Sequence, residues 1–188
     1  MAPRNEQGFT LIELLVSITI LGIIGTALIG TLFIAYKTSS ETQTMLNESN
    51  DREGVSYWFT RDVQNAPSVL TTATACEPAG NALVVRFQWT ETPVASPAGS
   101  ANVAREVVYS TTPVAAGSIS LTRSICVAAA ARVDVTVASF VTAASTQCLT
   151  SAYVVDVTCS AATRVVRLSL TPSSGAAAYT VDGARRPA

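Results

Sequence analysis

The 188-residue sequence contains no histidine and a single lysine, Lys37. Without histidine, the chain lacks the commonest general base, metal ligand and pH-sensitive side chain of proteins. Charged residues make up only 13% of the sequence and the formal net charge is −1. Because nucleic-acid-binding proteins usually carry a strong positive charge, this composition argues against a nucleic-acid partner.

The short motifs of catalysis and cofactor binding are also missing. The sequence has no GxSxG nucleophile turn, no phosphate-binding P-loop, no glycine-rich dinucleotide turn and no acidic calcium loop. Three aspartates, Asp134, Asp156 and Asp182, are isolated from other acidic residues. We therefore expect a protein that is not an enzyme and that needs no cofactor or metal.

What the sequence does have is a long apolar run near its N-terminus. Residues 9–36 contain one charged residue, Glu13. A bilayer requires about 20 apolar residues, and a helix of about 28 residues covers roughly 42 Å at 1.5 Å per residue. A secretory signal would have a shorter core followed by a small-residue cleavage site, which this run lacks. The pattern predicts a membrane-spanning helix that the mature protein retains.

The start of this run has a distinctive sequence, GFTLIELLV at residues 8–16, preceded by a short polar segment. It resembles the cleavage and methylation motif of type IV prepilins and pseudopilins. The resemblance implies that a prepilin peptidase cuts between Gly8 and Phe9 on the cytoplasmic face and methylates the new amine of Phe9. It also implies that Phe9 and Glu13 act in the assembly of subunits into a filament.

The cost of placing a charge in a membrane also marks Glu13 as a functional candidate. A carboxylate costs about 2.5–3.5 kcal/mol near the centre of a bilayer and less near its interface. Such a residue is a functional candidate whose partner must be found, and the amine of Phe9 is the cation closest in sequence once the leader is removed. The alternative is a glutamate that lies close enough to the interface to reach water and that pairs with nothing.

Beyond the apolar run, the pattern first remains helical and then changes to that of strands. Val55, Trp58 or Phe59, Val63 and Ala66 recur at helical spacing and predict a buried face on a helix that ends before Pro67. From Leu83 to Trp89 the apolar residues alternate, as in a half-buried strand. Further strands are predicted at 107–109, 119–123, 133–140, 153–158 and 165–170, with breaks at 92–101, 113–117 and 142–146.

This succession predicts an α+β, pilin-like fold, in which a long N-terminal helix packs on an antiparallel β-sheet. We divide the chain into a cleaved leader (1–8), a transmembrane and filament-core helix (9–36), the amphipathic half of the same helix (37–66) and an extracytoplasmic sheet domain (67–188). Residues 48–67 and the strand pattern that follows resemble J-type minor pseudopilins and related minor pilins.

Four cysteines, Cys76, Cys126, Cys148 and Cys159, all follow the apolar run and form no CxxC pair. An even number on a segment expected outside the cytoplasm predicts two disulfides, with three possible connectivities. We favour Cys148–Cys159, because these residues flank one predicted turn, which leaves Cys76–Cys126. The alternative is four buried thiols that act as small apolar side chains.

These features together predict a minor pilin or pseudopilin subunit of a type IV pilus or a type II secretion pseudopilus, at its initiation or capping end. The expected partners are prepilin peptidase, other pilin subunits, the inner-membrane assembly platform and the lipid bilayer. We expect a single-pass membrane protein with a cytoplasmic N-terminus that later joins a filament at the cell surface or in the periplasm. The alternatives are a major pilin or surface adhesin, and an extracytoplasmic binding domain that uses residues 9–36 as a plain anchor.

Overall fold

The computed structural model describes residues 10–91, 102–115, 117–127 and 131–186. Within them the chain forms one long helix followed by seven strands. In chain order the elements are α1 (Leu11–Asn65), β1 (Ser68–Leu70), β2 (Ala82–Glu91), β3 (Val103–Ala115), β4 (Ser118–Val127), β5 (Val133–Leu149), β6 (Val165–Pro172) and β7 (Tyr179–Ala184).

The chain divides into two compact units, Met1–Met45 and Leu46–Ala188. The first, which we call the helical unit, contains the apolar part of α1. The second, which we call the sheet unit, contains the last part of α1 and all seven strands.

The seven strands form one antiparallel sheet in the order β1-β2-β3-β4-β5-β6-β7, so each strand pairs with its neighbours in sequence. This arrangement needs only short connections, and it confirms the α+β fold expected from the sequence. Sequence patterns did not indicate β1, which has three residues, or β7, which contains Gly183.

Two expectations about the second half of the sheet are wrong. Residues 153–158 form no strand, and a single bridge joins Val155 to Leu149. Residues 142–146 are not a break, because β5 continues through them and remains paired with β6, with an irregularity in the register between Val141 and Ala143. The predicted break at 92–101 lies outside the described residues.

The last part of α1 packs one face on the sheet, as its spacing predicts. Val55, Phe59 and Val63 are fully buried on this face. Phe59 meets Phe87 and Tyr109 edge to face, with ring centroids 5.8 and 5.6 Å apart. Such contacts add about 0.5–1.5 kcal/mol each to the burial of apolar area. This aromatic cluster fixes the helix over β2 and β3.

The helix also comes very close to β7. A Cβ built on Gly183 would lie 2.6 Å from the Cβ of Val63, which is closer than real side chains allow. Glycine at this position is therefore required by packing, since the backbone of β7 contacts the helix where another strand would place a side chain. The helix ends at Asn65, two residues before Pro67, as predicted.

Candidate functional site

The predicted assembly residue Glu13 lies in the first turn of α1. The helix begins with backbone hydrogen bonds from Glu13 and Leu14 to the carbonyl of Thr10, at 3.1 and 3.2 Å. A carboxylate in this turn is favoured by the unpaired N–H groups and the positive end of the helix dipole. Its side chain is exposed and makes no hydrogen bond or ion pair with the described residues. Gly8 and Phe9, the predicted cleavage pair, lie outside the described residues.

The helical unit buries almost none of its apolar side chains. Between Leu11 and Tyr36 the large apolar residues are about half to four-fifths exposed, from 48% at Val16 to 82% at Leu11. Among the described residues, α1 is the one helix that is long and apolar enough to cross a membrane. Exposure on this scale requires a covering of lipid or of other helices, since water is a poor solvent for so large an apolar surface.

A buried ion pair joins the last turns of α1 to the sheet. Arg123 of β4 donates from Nε and Nη2 to the two carboxylate oxygens of Asp62, at 2.6 and 2.7 Å. The hydroxyl of Tyr109 donates to the same carboxylate at 2.7 Å. Asp62 is 1% exposed and Arg123 5%, and the guanidinium lies 4.5 Å from the centre of the Trp58 ring. We call Asp62, Arg123 and Tyr109 the buried triad.

Electrostatics keep Arg123 charged and Tyr109 neutral. Burial opposes the charged form of Arg123, but hydrogen bonds and attraction to Asp62 outweigh burial and raise the pKa of Arg123 above its ordinary value. Burial, reinforced by the charge of Asp62, raises the pKa of Tyr109 well above its ordinary value. The tyrosine therefore remains a neutral donor and the arginine remains a cation at any physiological pH.

Sequence reasoning missed the buried triad, although a signal was present. Asp62 follows Phe59 by three residues and precedes Val63 by one, which places it on the apolar face of the helix. Arg123 occupies the corresponding position in β4, two residues after the buried Leu121. A charge on each of two predicted apolar faces indicates that the two faces meet there.

The structure contains two disulfides, Cys76–Cys126 and Cys148–Cys159, which are the pairs favoured from the sequence. Cys76–Cys126 joins the segment between β1 and β2 to β4. Cys148–Cys159 joins the end of β5 to the segment that precedes β6. No cysteine is free.

These bonds should be recovered from the exported protein by peptide mapping without reduction. Trypsin should release Cys76 in peptide 62–86, Cys126 in peptide 124–132, and both other cysteines in peptide 133–164. We expect 62–86 covalently joined to 124–132, and 133–164 on its own and two hydrogens lighter than its reduced form. Either other connectivity would join 133–164 to both other peptides and would contradict the pairing.

The two bonds should also differ in their contribution to stability. They close loops of 50 and 11 residues, for which chain entropy gives about 4 and 3 kcal/mol, respectively. Replacing Cys76 and Cys126 with Ser should therefore lower the urea midpoint more than replacing Cys148 and Cys159. The opposite order would show that chain entropy does not determine how much each bond stabilises the fold.

The segment closed by Cys148–Cys159 is ordered around Asp156. Its carboxylate accepts hydrogen bonds from the hydroxyls of Ser160, Thr163 and Thr158, at 2.7, 2.8 and 2.9 Å. These bonds lower the pKa of Asp156 below its ordinary value. The stabilisation is therefore complete above the unfolded-state pKa, near 4, and is lost only as the pH falls through the lower folded-state value.

The geometry of the described residues does not indicate an active site. No group of three or more His, Cys, Asp or Glu side chains in the described ranges lies close enough to hold a metal ion. Five arginines are instead paired with carboxylates within the fold. Three of these pairs are partly exposed to water: Arg105 with Glu91, Arg167 with Asp182 and Arg132 with Asp134, at 2.5, 2.7 and 2.9 Å, respectively.

Comparison with known proteins supports the motif recognised in the sequence. Residues 3–29 match the family model described as the prokaryotic N-terminal methylation motif. The match includes Gly8, Phe9 and Glu13, and it supports a type IV prepilin-like protein that prepilin peptidase processes and that is anchored in the membrane by its apolar helix. It covers a small part of the 188-residue chain. No curated protein and no solved structure matches the chain.

Proposed function

We propose that this chain is a structural subunit of a type IV pilus or a type II secretion pseudopilus. One observation carries the proposal: residues 3–29 match the methylation motif, at the start of a helix whose large apolar side chains are exposed from Leu11 to Tyr36 and whose first turn holds Glu13. Lipid would cover this surface before assembly, and neighbouring helices would cover it in the filament.

In the proposed pathway, residues 1–8 are a leader that remains in the cytoplasm while the sheet unit lies outside. Prepilin peptidase cuts after Gly8 and methylates Phe9. The assembly platform of the inner membrane then moves the subunit from lipid into the filament, where Glu13 pairs with the amine of a Phe9. The resemblance of residues 48–67 to J-type minor pseudopilins favours a minor subunit that initiates or caps the filament.

Replacing Gly8 with Val should stop this pathway at its first step. A peptidase that holds the chain just before Phe9 has little room for a branched side chain, so the variant should accumulate in the membrane with residues 1–8 attached. The wild type should yield a chain that begins with N-methylated Phe9. Intact mass and N-terminal sequencing of the membrane-extracted proteins measure both results.

Gly22→Val is the matched control for this experiment. A Cβ added at Gly22 meets no atom within 4 Å, and the residue lies well beyond the cleavage site, so this variant should be processed normally. If the wild type retains residues 1–8, the helix is a plain membrane anchor and the proposed function is wrong. If residues 1–8 are removed as expected, abundance in sheared filaments separates a minor from a major subunit, since a major pilin dominates such preparations.

A further inference from the structure

Three arginines border one hollow at the end of α1. The hollow has a volume of about 430 Å³ and is lined by Arg164, Arg185 and Arg186 together with Gln64, Asn65, Ala66, Pro67 and Ala161. No acidic side chain occurs among these lining residues. The described part of the hollow therefore carries three formal positive charges and no formal negative charge.

One of the three arginines has a structural role. The guanidinium of Arg185 donates to the carbonyls of Thr163 at 3.0 Å, of Ser160 and Ala66 at 3.4 Å each, and of Pro67. These bonds join the two residues that follow α1 to the segment that precedes β6. Burial, together with the nearby charge of Arg164, lowers the pKa of Arg185.

The other two arginines have no such partners. The side chains of Arg164 and Arg186 are exposed and make no hydrogen bond or ion pair with the described residues. The backbone of Arg164 is nevertheless fixed, because its N–H donates to the carbonyl of Leu149 and its carbonyl accepts from the N–H of Arg185, both at 2.8 Å. Five other arginines of the described ranges each pair with a carboxylate: Arg86, Arg105, Arg123, Arg132 and Arg167.

We propose that this hollow binds a phosphate dianion, either free phosphate or the phosphate group of a monoester, through Arg164 and Arg186. The positive charge of the hollow favours phosphate over a carboxylate. A phosphate group carries a charge of about −1.5 to −2 and balances two free guanidinium groups, whereas one carboxylate balances only one. The planar fork of arginine suits phosphate oxygens. Gln64 and Asn65 add neutral donors at the rim, and the volume lies within the ordinary range for small-molecule sites.

Calorimetric titration of the full chain in a non-ionic detergent, at constant ionic strength, tests the proposal. Inorganic phosphate should bind at one saturable site. Arg164→Gln and Arg186→Gln should each weaken binding about tenfold, since each removes a charge-assisted hydrogen bond. Arg164→Lys should fall between wild type and Arg164→Gln, because it keeps the charge and loses the fork. O-phosphoserine, titrated in parallel, distinguishes a monoester site from a site for free phosphate alone.

Arg61→Gln is the matched control, because it removes an exposed arginine that contacts Tyr57 and does not line the hollow. It should leave phosphate affinity unchanged, and urea unfolding should show that all variants keep the wild-type midpoint. Three outcomes would each overturn the proposal. They are the absence of saturable binding, equal weakening by Arg61→Gln, and acetate or duplex DNA binding more tightly than phosphate. The last would indicate general attraction of anions or a surface for a polyanion.

Discussion

Replacing Asp62 with Asn should lower the free energy of unfolding of the sheet unit by about 3–5 kcal/mol. The substitution keeps the shape of the side chain but leaves the buried guanidinium of Arg123 without its countercharge. A buried cation cannot be rehydrated without opening the contact between the helix and β4, so the loss should appear as weaker helix docking. Urea unfolding of the full chain in detergent, followed by the fluorescence of Trp58 and Trp89, measures it.

Asp182→Asn is a stringent control for this prediction. Asp182 also receives two hydrogen bonds from one arginine, Arg167, at 2.7 Å each, but the two side chains are 36% and 32% exposed. Because exposed pairs are screened by water, this variant should lose at most about 1 kcal/mol. Equal losses in both variants would show that burial does not set the strength of these pairs.

Removing both charges of the buried pair should cost less than removing one. In Asp62→Leu combined with Arg123→Met, no uncompensated charge remains, and apolar side chains of similar volume can pack in its place. The double variant should therefore be more stable than Asp62→Asn, although the hydroxyl of Tyr109 loses its acceptor. If the double variant loses as much free energy of unfolding as Asp62→Leu and Arg123→Met lose together as single variants, the carboxylate and the guanidinium do not stabilise each other.

Periodicity predicted the parts of the fold in which one face of an element is buried. The spacing of Val55, Phe59 and Val63 indicated the face of α1 that packs on the sheet, and the alternation from Leu83 to Trp89 indicated β2. Pro67 indicated where the helix ends. In each case local geometry and burial require the same residue types, so the pattern alone was sufficient.

Other features depend on contacts between residues that are distant in sequence. The segment 153–158 is rich in valine and was predicted as a strand, yet the bond between Cys148 and Cys159 and the hydrogen bonds to Asp156 hold it as a loop. Val157 there is 88% exposed. Neither the alternation of apolar residues nor strand propensity can predict such constraints, because both depend only on residues that are close in sequence.

Of the candidate sites, one is visible in the sequence and one is formed only by the fold. Glu13 was found from sequence because a lone charge in an apolar run is conspicuous. The hollow of Arg164, Arg185 and Arg186 was not, because Arg164 and the final arginines come together only when β6 and β7 pair. Nor does the sequence reveal that Arg185 bonds four carbonyls of the fold.

Glu13→Ala should leave the chain in the membrane and correctly processed, but unable to assemble. Removing a carboxylate from a membrane span makes its transfer into lipid easier, so insertion should be at least as complete as in the wild type. Cleavage after Gly8 should also continue, since Glu13 lies beyond the scissile bond. What the variant lacks is a countercharge for the methylated amine of Phe9, on its own chain or on a neighbouring one.

The expected loss is large because the amine of Phe9 would enter an apolar environment unpaired. Breaking a buried ion pair by removing one partner costs about 3–5 kcal/mol, which corresponds to a hundredfold or greater loss of subunit docking. Co-purification with the other filament subunits measures docking, while membrane fractionation and N-terminal sequencing check insertion and processing.

Glu13→Asp should assemble to an intermediate extent, because it keeps the charge but shortens its reach. Glu41→Ala removes an exposed carboxylate from the same helix, outside the motif, and should assemble normally. If Glu13→Ala co-purifies as well as Glu41→Ala, the carboxylate has no part in assembly and the proposed pairing with Phe9 is wrong.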